Sequence, residues 1–192
     1  MKIVEYVIDD EELFRVTAIS LVDAPAIEVD FVAMSKQADA LNFAIQDEEK
    51  RIVAGPLMIP DIKIFRKGKE GQEDFYATFS AETIIKAARL YLKKNLQSNA
   101  TIQHMMPVMG VTLVESWTIE GDSDKSQMYG YNLPKGTWFG IMRVDNDSVW
   151  QSVKAGEIKG FSVESFFIPT ERSDFEKHLD ELLAELATTN NP

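Results

Sequence analysis

Short runs of apolar, β-branched and aromatic residues recur along most of the chain, and they limit the folds that it can adopt. They read KIVEYVI, LFRVTAISLV, AIEVDFVAM, DIKIFR, DFYATFS, VTLVESWTI, TWFGIMRV and GFSVESFFI. Several alternate apolar and polar residues, as expected for strands of a sheet with one solvated face. The pattern predicts a mainly β domain with flanking helices (α+β), a barrel or sandwich, over residues 1–170.

Three segments have the spacing and end signals of helices. One follows Ser80, a predicted N-cap, and carries apolar residues at helical spacing. A shorter helix is predicted to begin with Asp147 as its cap and to end at Gly156. The third segment, within residues 171–192, opens with a capping-box pattern and predicts a C-terminal amphipathic helix and tail.

Composition excludes several classes of function. The net charge of −11 argues against nucleic-acid binding, which needs clustered basic residues. No apolar run approaches the roughly 20 residues of a membrane span, and the acidic N-terminus is unlike a signal peptide. With no cysteine and two histidines, thiolate zinc sites and multi-histidine metal centres are not expected. We therefore expect no cofactor and no membrane partner.

The stretch KGFSVESFF contains a serine, Ser162, on a predicted strand, which raises the question of nucleophilic chemistry. A serine hydroxyl needs a base within hydrogen-bonding reach, and histidine is the usual one. Because His178 lies on the predicted C-terminal helix, His104 is the candidate base. The nucleophile elbow of α/β-hydrolases is not matched, since Glu164 stands where it has glycine. The competing serines are Ser165, Ser116 and Ser152.

A catalytic histidine also needs a group that holds its tautomer, commonly a carboxylate. If Gln103–Met106 paired with Val111–Ile119 as a hairpin, His104 would lie opposite Glu115. Glu115 is therefore the first candidate, and Glu164 or Asp145 are the alternatives.

The segments after His104 follow a specific order: VESWTI, a loop, and then LPKGTWFGIMRVDNDSVWQSVKAGEIKGFSVES. The most specific part is P-K-G-T-W followed by W-x-x-V-K-x-G-E-x-x-G-F-S. This combination resembles the XkdF-like phage prohead proteases, which are related to the caudovirus prohead proteases and, more distantly, to herpesvirus assemblin. The resemblance covers residues 52–167, and SLVDAPAIEVDFVAMS is similar to the way these proteins begin.

The resemblance implies a serine endopeptidase with an assemblin-like, closed or partly closed β-barrel surrounded by helices. Ser162 matches the nucleophile of the G-F-S motif, His104 matches the base, and Glu115 in V-E-S matches the acidic third member. Herpesvirus enzymes use a second histidine there, whereas His178 lies outside the similar region. Their oxyanion arginine pair has no counterpart here, which leaves Arg143 or backbone amides as substitutes.

The same resemblance implies substrates, location and assembly. The substrates would be segments of the phage scaffold and major capsid protein, cleaved inside the prohead in the host cytoplasm, and the protein could be retained in the virion. A homodimer is an option, because assemblin-like enzymes dimerise through helices. The alternative function is a catalytically inactive protease-like protein that serves as a structural, internal virion or assembly component.

Overall fold

The structure is a computed structural model that describes residues 2–8, 15–27, 32–34, 50–68 and 73–166. The elements are β1 (Lys2–Tyr6), β2 (Arg15–Val22), β3 (Val32–Met34), β4 (Ile52–Met58), β5 (Ile64–Arg66), β6 (Phe75–Phe79), α1 (Ala81–Lys93), β7 (Ala100–Ile102), β8 (Met106–Val108), β9 (Val111–Thr118), a 3-10 helix (Lys125–Tyr129), β10 (Trp138–Val144), α2 (Asp147–Lys154) and β11 (Gly160–Phe166). The predicted mainly β domain with helices is confirmed. The C-terminal helix and tail predicted for residues 171–192 lie outside the described residues, so the division at residue 170 stays a prediction.

The strands form three sheets with the orders β11-β2-β7-β8, β3-β4-β10-β9 and β1-β6-β5. In the first sheet β2 pairs with β11 antiparallel and with β7 parallel. Strands β11 and β4 contact each other across two sheets without pairing. Over the described residues the sheets are therefore open, and the predicted barrel closure is not observed.

The core lies where the sheets meet α1 and α2, and large aromatic side chains fill much of it. Trp138, Trp150 and Phe161 are all fully buried. Trp138 packs edge-on against Tyr91 of α1, with ring centroids 5.6 Å apart. Its indole N–H donates to the Ser116 hydroxyl at 2.8 Å, which satisfies the one polar atom of the buried ring. The T-W pair of the P-K-G-T-W motif therefore contributes to the core.

The helix ends agree in part with the sequence predictions. Ser80 caps α1 as predicted, since its hydroxyl accepts from the Thr83 N–H. The cap of α2 is Asn146 and the prediction of Asp147 was wrong, because the Asn146 amide oxygen accepts from Ser148 and Val149. Asp147 is instead the first helical residue, where a negative charge interacts favourably with the helix dipole.

Gly160 begins β11 and allows the turn after β2 to approach that strand closely. A Cβ atom placed on Gly160 would lie 2.6 Å from Pro25 Cγ, which is closer than side chains can approach. The glycine of the G-F-S motif is thus required by packing between β11 and the turn after β2. None of the described helices has the length and apolar character needed to cross a membrane.

Candidate active site

The candidate nucleophile lies on the edge strand of the first sheet. Ser162 of β11 pairs with Ser20 of β2, and Ser20 pairs with Thr101 of β7. Residues directly opposite across neighbouring strands project to the same face, and in antiparallel pairs their Cβ atoms are about 4.5–5.5 Å apart. Ser162, Ser20 and Thr101 therefore form a row across three strands.

Glu164 extends this row along β11. Because alternate strand residues share a face, Glu164 projects to the same side as Ser162. Its Oε1 atom accepts a hydrogen bond from the Thr101 hydroxyl and lies 3.3 Å from Nδ1 of His104. The Glu164 side chain is 23% exposed and that of His104 is 45% exposed, so the pair lies at the rim of the sheet.

A tight turn between β7 and β8 presents His104 to this face. The Met105 N–H donates to the Ile102 carbonyl at 3.0 Å, and the two central residues, Gln103 and His104, have φ angles of 51° and 58°. Positive φ at both central positions is the pattern of a type I′ hairpin turn, which normally selects asparagine and glycine. Gln103 and His104 adopt it at a steric cost, a kind of strain that concentrates at functional sites.

Ser20 fixes the backbone of this turn from the neighbouring strand. The His104 N–H donates to the Ser20 hydroxyl at 2.9 Å, and the Gln103 N–H donates to the Leu21 carbonyl at 3.1 Å. Ser20 has no solvent exposure and can also donate to the Thr101 carbonyl at 3.5 Å. It is therefore a positioning residue between the candidate nucleophile and the candidate base.

The hairpin predicted to oppose His104 and Glu115 does not form. The turn at Gln103–His104 returns the chain onto β7, so that Met106 pairs with Ile102. Strand β9, which carries Glu115, pairs with β10 in another sheet. The predicted pairing was wrong because a tight turn pairs β7 with β8 before the chain reaches β9.

Glu115 has a different partner from the one expected. It is an exposed residue whose carboxylate pairs with Lys125, and that ammonium lies 5.1 Å from the centroid of the Trp117 ring. The hydrogen bond that Lys125 donates to Glu115 raises the pKa of that ammonium. The other alternative, Asp145, accepts from Arg143 at 2.8 Å. Of the three carboxylates considered from the sequence, the structure thus brings Glu164 to His104.

The other serines considered from the sequence do not lie beside His104 among the contacts that the structure describes. Ser116 accepts from the Trp138 indole, and Ser152 lies on α2. The side chain of Ser165 is outside the described residues. Ser162 itself is 9% exposed. Among the side chains that the structure describes, no group of three or more histidines and carboxylates is arranged to hold a metal ion.

Two residues of this face, Ser20 and Thr101, were not predicted from the sequence. Ser20 lies within the apolar run AISLV, and its alternation with Ile19 and Leu21 would have placed it on one face of a strand. The alternation alone does not say which strands become its neighbours. That information comes from the parallel pairing of β2 with β7, which joins segments distant in sequence.

Comparison of the sequence with known proteins assigns the chain to a family. The family model described as "Putative phage serine protease XkdF" matches residues 41–170, a range that includes His104, Ser162 and Glu164. This chain belongs to that family. The XkdF-like resemblance predicted from the sequence is therefore confirmed, whereas the more distant relation to assemblin stays a prediction.

A curated relative of this XkdF-family chain is the uncharacterized protein YqbD of Bacillus subtilis (strain 168). The two are 29% identical over 155 residues, which cover 78% of this chain and 44% of YqbD. The chain thus spans less than half the length of that relative. No solved structure matches this chain significantly.

Proposed function

We propose that this XkdF-family chain is a serine endopeptidase in which Ser162 is the nucleophile, His104 the general base and Glu164 the orienting acid. The observation that carries the proposal is the 3.3 Å approach of Glu164 Oε1 to His104 Nδ1, on the sheet face that Ser162 shares. A carboxylate at Nδ1 holds the proton there and leaves Nε2 free to accept one. The family description, a phage serine protease, agrees with this chemistry.

The proposed reaction proceeds through an acyl-enzyme. Ser162 Oγ attacks the scissile carbonyl carbon while His104 Nε2 takes the hydroxyl proton, and Glu164 stabilises the resulting imidazolium. The tetrahedral intermediate collapses, the C–N bond breaks and His104 gives its proton to the leaving amine. Water, deprotonated by His104, then attacks the ester carbonyl. The C–Oγ bond breaks, His104 returns the proton to Ser162 Oγ, and the acid product leaves. The reaction needs no metal or cofactor.

Glu164 takes the third position in this proposal in place of Glu115. The Thr101 hydroxyl donates to Glu164 and the Ser20 hydroxyl accepts from the His104 backbone, so both members of the pair are held by neighbouring strands. Such supporting hydrogen bonds keep a catalytic pair in register with the nucleophile. The ion pair of Glu115 with Lys125 supports a structural role for that residue.

We further propose that the substrates are scaffold and major capsid protein segments, cleaved inside the phage prohead in the host cytoplasm. This rests on the description of the family as phage proteases and on the prohead-protease motifs of the sequence. An assemblin-like barrel and a homodimer belong to the same proposal.

One observation supports the rival function, that of an inactive protease-like structural protein. Only 9% of Ser162 is exposed, so a substrate must reach a nearly covered hydroxyl. Reaction with a fluorophosphonate probe separates the two functions, because only an activated serine reacts quickly. We expect the wild-type chain to be labelled at Ser162, as located by mass spectrometry of the modified peptide.

Two variants complete the experiment. Ser162→Ala should abolish labelling, whereas Ser152→Ala, on α2, should leave it unchanged. Absence of labelling in a folded wild-type chain would favour the inactive protein, and labelling of a serine other than Ser162 would overturn the assignment of the nucleophile.

A further inference from the structure

A cleft of about 30 Å³ reaches Ser162 at the junction of the three sheets. Strand β11 contributes its residues 161–163, β4 and the residue after it contribute Leu57, Met58 and Ile59, and β5 contributes Ile64 and Arg66. Ser162 and Arg66 are the two polar residues among the described residues of the lining, and the rest are apolar.

The cleft follows the free edge of β11. That strand pairs with β2 on one side, and on the other it contacts β4 without forming a ladder. An extended polypeptide along this edge projects alternate side chains to opposite faces. One whose carbonyl carbon lies at the Ser162 hydroxyl would therefore place a neighbouring side chain at the mouth of the cleft, on the face of Phe161 and Val163. The cleft is far too small for a whole ligand, and its position beside Ser162 is that of a specificity subsite.

Arg66 gives this subsite its charge. Its Nη1 atom donates to the Phe65 carbonyl at 3.3 Å, and none of the carboxylates in the described part of the chain forms an ion pair with it. Arg66 reaches solvent, yet partial burial lowers the pKa of its guanidinium, and the nearby Tyr6 opposes that effect. A guanidinium stays charged under all physiological conditions. Among the described residues, Arg66 therefore brings a positive charge and unused hydrogen-bond donors to an apolar wall.

We propose that this cleft binds an acidic side chain, aspartate or glutamate, of the substrate polypeptide next to the scissile bond. The carboxylate pairs with Arg66, and the methylene groups contact the apolar wall formed by residues such as Ile64 and Phe79. A planar guanidinium binds a carboxylate through two parallel hydrogen bonds, which gives direction as well as charge. This inference rests on the proposed function, because it names the substrate preference of the same site.

Profiling of cleavage sites tests the proposal on a large set of unrelated peptides. The full chain is incubated with a library of peptides made by chymotryptic digestion of a bacterial lysate, and the new N-termini are sequenced by mass spectrometry. We expect aspartate or glutamate to be enriched at one position beside the cleaved bond. A matched pair of peptides that differ by glutamate and glutamine at that position should differ about tenfold or more in kcat/KM, as expected for a hydrogen bond between charged groups.

Variants of Arg66 provide the decisive comparison. Arg66→Gln should remove the preference for acidic residues while cleavage of the glutamine peptide continues, and Arg66→Lys should retain part of it. Arg66→Glu should shift the preference toward lysine and arginine. Arg89→Gln, which changes an exposed arginine on α1, serves as the matched control and should keep the wild-type profile.

The outcomes separate this inference from the proposed function. Enrichment of apolar residues in place of acidic ones, or an acidic preference that survives in a folded Arg66→Gln variant, would overturn the inference and leave the protease standing. A library that stays undigested, or that Ser162→Ala digests equally well, would overturn both. Thermal unfolding of each variant verifies that it is folded.

Discussion

Oε1 of Glu164 lies 3.3 Å from Nδ1 of His104, which joins the strand that carries Ser162 to a turn at the far side of the same sheet. Two strands, β2 and β7, separate β11 from β8. The contact therefore depends on the pairing of all four strands, and the predictions below follow from that geometry.

Replacement of Glu164 by glutamine should lower activity far more than it lowers stability. The amide keeps the size of the side chain but no longer stabilises an imidazolium. We therefore expect peptide cleavage and fluorophosphonate labelling to be slower by about 10²- to 10⁴-fold. The rate of fluorophosphonate labelling measures the effect. Glu115→Gln is the matched control and should label at close to the wild-type rate, since Glu115 pairs with Lys125. The opposite ranking of the two variants would return Glu115 to the third position.

Replacement of His104 by glycine should abolish activity and stabilise the fold. Glycine adopts positive φ without the steric cost that histidine bears at φ 58°, so the free energy of unfolding should rise by about 1 kcal/mol. Urea unfolding measures the change. Gln103→Gly, which relieves the same strain one residue earlier, should stabilise the protein and keep its activity. A destabilised His104→Gly variant would show that the imidazole contributes packing which outweighs the strain.

Replacement of Gly160 by alanine should destabilise the protein by about 1–3 kcal/mol, because the new methyl group would overlap Pro25. Truncation of the proline ring in the double variant Gly160→Ala/Pro25→Ala should recover part of that loss. A double-mutant cycle in urea measures the coupling between the two positions. Additive effects would mean that the contact between the loop and the strand is not what requires glycine.

Acid should remove part of the stability through Asp124. Burial alone would raise the pKa of this carboxyl, but hydrogen bonds from Ser126, Trp117 and Lys125 outweigh it and lower the pKa. Because the folded pKa is below the unfolded one, the stabilisation is complete above the unfolded value near 4 and is lost as pH falls through the folded value. Urea unfolding from pH 7 downward should therefore show a smaller acid loss in Asp124→Asn than in the wild type. Equal losses would exclude this carboxyl as a source of the acid sensitivity.

The apolar runs of the sequence predicted most of the strands, but β4, β7 and β8 were missed, and so were the neighbours of each strand. Alternation of apolar and polar residues gives the faces of β11, and capping chemistry gives Ser80, because both are local properties. In β9 a bulge between Leu113 and Glu115 interrupts the alternation, so its faces were not predicted. The neighbours of each strand are set by tertiary packing. That is why the expected hairpin between His104 and Glu115 was replaced by pairing of β7 with β8.

The turn that presents His104 could not be predicted from the sequence for a related reason. Gln103 and His104 are not the residues that a type I′ turn normally selects, so the local chemistry gave no signal for it. The contact of Glu164 with His104 was open as an alternative and required the parallel pairing of β2 with β7 to be known. In contrast, Ser162 could be singled out by the resemblance of its G-F-S motif, and His104 because the chain has two histidines.

The proposed nucleophile and acid are separated on β11 by one residue, Val163, which packs toward the core. A slip of β11 by a single position against β2 would turn both polar side chains inward and bring Val163 out in their place. Such a slipped chain would retain nearly all of its secondary structure and still be catalytically silent. The register of this one edge strand would then decide between an inactive and an active form of the protein.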